Sequence, residues 1–458
     1  MMQSSAARKN SILIIATLSS FIVPFLVSSI NVALPRMTAE FHMEAVVMTW
    51  VNTIYFLAIA MVQVPMGRLA DIHGRKKIYL VGLGISLGAA LAGAFAASVP
   101  VLLVSRTFQG IGAGMTGNTI IAIITSVFPS EERGKALGIS MAGTYGGLIF
   151  GPLIGGFLTY RFGWPSIFIA SAGLNSLLLL LAFFTLKGEW REAKGEKFDV
   201  PGSVLFGASI AMFIYGFSSL PGIISGAFLA VGAAGLFYFA KRELKAASPI
   251  LDFRIFKNNH TFLFSNMATL VNYLATFAVT FLLSLYLQYL KGFSPQDAGL
   301  VMIASSVPMT IVTPLAGRLS DRIDPRMVAA AGMALGCIAL VMLVFLGNET
   351  SLWYVILALV IYGTGIGFFS SPNTNAIMGS VEKKVLGVAS GTIGTMRTTG
   401  MMLSLGIMMI LFAVYIGPQE IEPVYYPRFL TSVKVGFIVF TVLGIGGVLA
   451  QLIGREKA

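Results

Sequence analysis

The chain has 458 residues, 56% of them hydrophobic and only 11% charged, with a formal net charge of +12. A soluble domain carries about 25% charged residues, so this composition excludes a water-soluble fold and describes an integral membrane protein. The basic excess does not mark a nucleic-acid binder, because the charges fall in short loops between apolar stretches rather than on one face. The single cysteine, Cys337, excludes an intrachain disulfide and a thiolate metal cluster.

Taken in order, the chain begins with Arg8 and Lys9 ahead of an apolar run long enough to span, with no small-residue cleavage site before the next one. It therefore reads as a retained first helix rather than a signal peptide. At about 20 apolar residues per span, the sequence predicts fourteen transmembrane helices. They lie near 11–32, 46–66, 78–98, 101–127, 136–160, 165–186, 201–219, 223–240, 262–290, 297–317, 328–347, 352–372, 385–415 and 431–453. With both termini cytoplasmic, 24 of the 31 Lys and Arg residues fall on the inner side, the asymmetry that the positive-inside rule requires. The longest inner loops, Lys187 to Val200 and Lys241 to Asn259, flank the pair 201–219 and 223–240. The expected organisation is an N-terminal six-helix bundle over 1–187, a linker with an inserted two-helix hairpin over 188–259, and a C-terminal six-helix bundle over 260–458.

Between the second and third spans lies a basic connector, GRLADIHGRKK from Gly67 to Lys77, with Arg68, Arg75 and Lys76 set against Asp71. Gly67 and Gly74 permit close backbone approach or positive φ, and Asp71 can pair with Arg75 or with a helix N-terminus. The run is either a topology anchor or a latch that breaks when two halves move. About 250 residues later GRLSDRIDPR repeats the pattern with Gly317, Asp321 and Arg322. An internal echo on that scale is the build of a secondary transporter with two similar halves.

Inside the fourth span stands Arg106, with Gln109 one turn on. An embedded Arg costs about 2.5–3.5 kcal/mol on insertion scales. It either has a function and a partner, or snorkels to the outer interface from its place near the span end. The fifth span carries Gly143, Gly147, Gly151, Gly155 and Gly156 with Pro152, a small-residue pattern that allows close packing, and a proline that bends the helix. Close packing alone and a gating bend are both compatible with it. Arg397, among small residues of the thirteenth span, either mirrors Arg106 functionally or is structural. Polar side chains that could line a cavity are Asn31, Asn52, Tyr55, Asn118, Asn272, Tyr286, Gln288 and Asn373, although Asn and Gln in spans also serve as glue between helices.

These residues carry a resemblance. The Gly67 to Lys77 run resembles the loop signature of the major facilitator superfamily; Arg106 to Gly114, RTFQGIGAG, resembles its fourth-helix signature; and Gly147 to Gly156, GLIFGPLIGG, resembles the fifth-helix signature of its antiporters. Fourteen spans, Asn31-Val32-Ala33-Leu34-Pro35 and Asp199-Val200-Pro201-Gly202 make the chain similar to the EmrB/QacA-like drug efflux branch. The resemblance implies a major facilitator fold with the cavity between the bundles, alternating access, and gradient-driven export of an amphipathic small molecule. It further implies protons as coupling ion, Arg106 near the proton site, a monomer in the plasma-membrane bilayer, and neither cofactor nor enzyme activity.

One departure alters that expectation. The branch places an Asp five residues before the Asn of Asn-Val-Ala-Leu-Pro, and here the position is Leu26. None of the 19 acids sits in the middle of a predicted span. A cationic cargo or a titrating proton carrier in a low-dielectric cavity needs a carboxylate, and only Glu40, Glu44 and Asp297, at outer span ends, are near. With Arg106 and Arg397 embedded, the cavity is expected to be neutral to positive and to suit neutral, zwitterionic or anionic amphiphiles. Rival classes fare worse. A membrane enzyme needs a convergent constellation that His42, His73, His260 and one Cys do not supply, and a sensor would need a signalling domain. No Gly-x-x-x-x-Gly-Lys-Ser/Thr run is present for nucleotide hydrolysis.

Overall fold

The computed structural model describes residues 2–128, 130–191, 193–220, 222–246, 249–250, 259–320, 322–381 and 386–453. The described elements are helical: α1 (Met2–Phe41), α2 (Ala45–His73), α3 (Arg75–Ala94), α4 (Val99–Val127), α5 (Ser130–Phe162), α6 (Pro165–Thr185), α7 (Val200–Ser218), α8 (Ile223–Glu243), α9 (His260–Leu285), α10 (Pro295–Ser320), α11 (Pro325–Val344), α12 (Leu352–Gly379), α13 (Leu386–Tyr415) and α14 (Tyr426–Ile453). A π-helical turn, Tyr286–Leu290, extends α9. Helices dominate because a chain of this hydrophobicity must satisfy its backbone polar groups within each segment.

The expected fourteen membrane spans are corrected to twelve. Among the described residues, twelve helices are long and apolar enough to cross a membrane, and α4 and α5 are not among them. Their polarity explains the difference: α4 embeds Arg106, Gln109 and Asn118, and α5 opens on Glu131, Glu132, Arg133 and Lys135 and continues through eight glycines.

Two compact units divide the chain. One comprises Met1–Phe41, Trp50–Ala211 and Ala234–Ile250; the other His42–Thr49, Met212–Ala233 and Leu251–Ala458. In the first, α1 lies along α5, and α3 packs on α4 and α6; in the second, α9 lies along α13, and α11 packs on α12 and α14. The same pairing, eight helices apart, is the structural form of the internal echo. Glycines repeat it too. A Cβ on Gly112 of α4 would meet the Gly82 carbonyl of α3 at 2.6 Å, and a Cβ on Gly365 of α12 would meet the Gly336 nitrogen of α11 at 2.7 Å. Such contacts let two backbones approach without side chains between them.

Helices α7 and α8 form the hairpin. Its loop-proximal half packs Gly232 on Phe213, and its other half packs Phe206 against Phe239 at 5.0 Å between ring centroids. At the open end, Arg242 grips Asp199 with both terminal guanidinium nitrogens, Nη2 donating to Oδ1 at 2.8 Å. This hydrogen-bonded Arg holds the Asp199 carboxyl below the ordinary carboxylate range, outweighing burial, which opposes it. A carboxylate with a depressed folded pKa stabilises above its unfolded pKa, and that contribution disappears as pH falls through the lowered value. Asp199→Asn should therefore lower the unfolding midpoint at neutral pH and flatten the part of the pH profile that lies below the ordinary carboxylate range. Thermal unfolding of both proteins from neutral to acid pH checks this, and parallel profiles would count against the pair.

Candidate functional site

The basic connector folds back on its own unit. Gly74, at φ 120°, ends α2 and caps α3, a backbone geometry that side-chain-bearing residues rarely adopt. Asp71 accepts from Arg75 Nε at 2.9 Å and Nη2 at 2.7 Å, an i,i+4 pair. Arg75 is buried and also donates to the Ala122 carbonyl at 3.1 Å and to Ser126 Oγ of α4. The segment after α6 straps this corner: Arg75 N donates to Trp190 O, Ala193 N to Asp71 O, Arg68 pairs with Glu196, and Lys76 Nζ reaches Leu186 O. Glu189 accepts from the Lys76 and Lys77 backbone nitrogens at 2.7 and 3.3 Å, satisfying first-turn donors of α3. Glu189 lies more than 110 residues from those donors, so no local signal announces it. Glu189→Ala should cost about 1 kcal/mol, the typical worth of a cap, with the nearby backbone amides gaining hydrogen exchange.

The echo lies in the second unit. Gly317 is half-buried, with Ser371 Oγ 2.9 Å from where its Cβ would stand; Arg322 is exposed; Asp321 lies outside the described residues.

Arg106 of α4 is fully buried and does not snorkel. Its Nε donates to the Val51 carbonyl at 3.0 Å, Nη1 to Gln109 Oε1 at 2.9 Å, and Nη2 reaches Asn52 Oδ1 at 3.5 Å; the guanidinium lies 4.2 Å from the Tyr55 ring centroid. Asn52 donates onward to Asn31 Oδ1 at 2.6 Å. Asn31, Asn52, Tyr55, Arg106 and Gln109, scattered over α1, α2 and α4, thus form one network. Every group that touches the guanidinium is neutral, and among the described residues no carboxylate reaches it.

Beside the network is a cavity of about 20 Å³, room for a water or two. Tyr55 and Gln109 line it, with Ser86, Thr116 and Asn175 as further polar wall and Ile22, Leu26 and Leu178 as apolar wall. Leu26, where the resembled branch has an acid, therefore faces the space beside the arginine network. Gln109 Oε1 is occupied by Arg106, whereas its buried Nε2 has no hydrogen-bond partner.

The remaining candidates scatter. Asn118 exchanges hydrogen bonds with Gln63, its Oδ1 accepting at 2.9 Å. In the second unit, Asn373 donates to Thr269 Oγ1 at 2.7 Å and accepts from Gln451 at 3.1 Å, Tyr286 donates to Gly347 O at 2.7 Å, and Gln288 donates back to Ser284. Asn272 is buried with an unpartnered Nδ2. Arg397 is exposed, unlike Arg106. The outer carboxylates are structural or exposed: Glu40 accepts from Trp164 Nε1 at 2.7 Å, Asp297 accepts from Ser294 at 2.6 Å, and Glu44 is exposed.

On α5, Gly143, Gly147, Gly151 and Gly155 form one face against α1, where added Cβ atoms would meet Thr17, Phe21, Phe25 and Ser29. Ser29 Oγ donates to the Gly151 carbonyl at 2.9 Å, and Pro152 and Gly156 are buried beside this seam.

The family model described as Major Facilitator Superfamily matches residues 16–405. The chain belongs to the Major Facilitator Superfamily. Among curated relatives of this superfamily, the chain is 31% identical over 405 residues to the riboflavin transporter RibZ of Clostridioides difficile (strain 630), covering 88% of each protein. It is 28% identical over 404 residues to the multidrug resistance protein Stp of Mycobacterium tuberculosis (strain CDC 1551 / Oshkosh), covering 86% of this chain and 74% of that one. Its fold is similar to a solved bacterial homolog of the human lysosomal transporter Spinster, at TM-score 0.71, 17% identity and 99% coverage of both chains. The solved nucleoside transporter NupG matches at TM-score 0.66 and 12% identity, covering 98% of this chain and all of that one. The superfamily assignment makes this a multi-pass membrane transporter.

Proposed function

We propose that this chain is a secondary transporter working by alternating access that exports an uncharged or anionic amphipathic small molecule across the plasma membrane, driven by an ion gradient, in practice protons. The observation that carries this reading is the pairing of a fully buried Arg106, held only by neutral groups, with Leu26 in the adjoining cavity wall. A desolvated cation without a carboxylate repels cationic cargo and favours electron-rich or negative groups. The relative described as a riboflavin transporter supports an uncharged polar organic cargo. The partners are that small molecule, the coupling ion and the bilayer, and the working unit is a monomer.

A second reading, broad efflux of cationic drugs, is favoured by the similarity to Stp and by the glycine seam of α5. Reconstituted proteoliposomes with and without a pH gradient separate the two. Riboflavin or an anionic amphiphile should be moved while a cationic dye is ignored. Gradient-dependent pumping of the dye alone would overturn the proposal and point to carboxylates at span ends.

A further inference from the structure

Nothing in the resemblance assigns an occupant to the partly open cavity that α1, α2, α3, α4 and α6 line within the first unit. We propose that it is a small-anion site, built for a halide ion that meets the Arg106 network at Gln109. Three observations converge on it. First, the guanidinium carries a full charge among neutral partners in a membrane helix bundle, and a buried charge left without a counter-ion is costly. Second, Gln109 relays that charge. Its Oε1 accepts from Arg106 Nη1 at 2.9 Å, which polarises the amide and strengthens the donor at its other end, the buried and unpartnered Nε2. Third, that residue borders a cavity of ion size, with Ser19, Ser86, Thr116, Ser171 and Asn175 as further polar wall. Among the described residues that line the cavity none is acidic, so nothing there repels an anion or competes for Gln109, and α1 contributes Leu26 to the wall.

Water would satisfy the Gln109 donor but would leave the charge uncompensated, which is why the anion is favoured. The site rests on Arg106 being a desolvated charge and not on the identity of any cargo, so a failed transport assay and an empty anion site are separate results.

The test uses the purified full-length protein at constant ionic strength, with gluconate replaced stepwise by chloride or bromide. The wild type should show a saturable rise in thermal unfolding midpoint. Gln109→Leu removes the donor and should need at least ten-fold more halide for the same rise. Leu26→Asp supplies a carboxylate from the wall and should lose the halide response altogether. If Gln109→Leu does not give monodisperse protein, Leu26→Asp decides, and chloride-35 line broadening on the wild type, competed by bromide, gives a reading that needs no variant. A wild type indifferent to halide, absence of competed broadening, or variants that respond as the wild type does would each overturn the proposal and leave water as the occupant.

Discussion

Arg106→Lys should lower the initial transport rate at least ten-fold while the protein still folds. The guanidinium fork serves Val51 O, Gln109 and Asn52 simultaneously and stacks on Tyr55. A lysine keeps the charge but is a single point on a flexible stem, without the planar geometry to meet three acceptors in fixed directions. Acceptors left unmet in a buried network cost about 1–3 kcal/mol, so the unfolding midpoint should fall, though the packed units around it remain. The decisive measurement is substrate flux per folded molecule in proteoliposomes, with folding checked by size-exclusion chromatography. If the lysine protein keeps more than half the flux, charge alone matters and the fork geometry is incidental.

The largest stability effect should come from a single methyl group. Gly147→Ala places a Cβ 2.5 Å from the Phe21 carbonyl, 2.8 Å from Pro24 Cγ and 2.9 Å from Phe25 N, so α1 and α5 must separate. Backbone and a proline ring cannot rotate away as a flexible side chain can, and overpacking of this kind costs about 1–3 kcal/mol. The neighbouring Gly146→Ala is the control, because its Cβ would meet only Phe21 ring carbons at 3.5 and 3.9 Å, an ordinary contact. Thermal unfolding should separate the two variants clearly. Equal midpoints would mean that the seam is not tight, and a Gly147→Ala protein that is stable yet inactive would favour the gating role of α5 over packing alone.

Much of the fold was legible because membrane helices announce themselves by length and hydropathy, and the boundaries predicted for α3, α6, α8 and α11 lie close to the observed ones. The span count failed where those signals weaken. Arg106, Gln109, Asn118 and the α5 glycines dilute the hydropathy of α4 and α5. The two embedded arginines looked alike as residues in a line of apolar neighbours, yet Arg106 is buried and Arg397 is exposed, because which face of a helix meets neighbours depends on packing. Glu189 passed unnoticed as one more charge in a cytoplasmic loop, since its partners are backbone amides more than 110 residues away.

By itself, the sequence determined that this is a membrane transporter of two similar halves. It also determined that Arg106 stands within the fourth helix and that no acid stands at Leu26, since composition, hydropathy and motif identity are properties of residues in a line. Only the tertiary structure decided that Asn31, Asn52, Tyr55 and Gln109 close around Arg106, that no carboxylate among the described residues reaches it, and that Leu26 and the unpaired Gln109 amide border one cavity. Those are statements about angles and distances between helices. They are set when packing rotates each helix to bury its small and polar residues against its neighbours, a choice that the residues share and no one of them encodes.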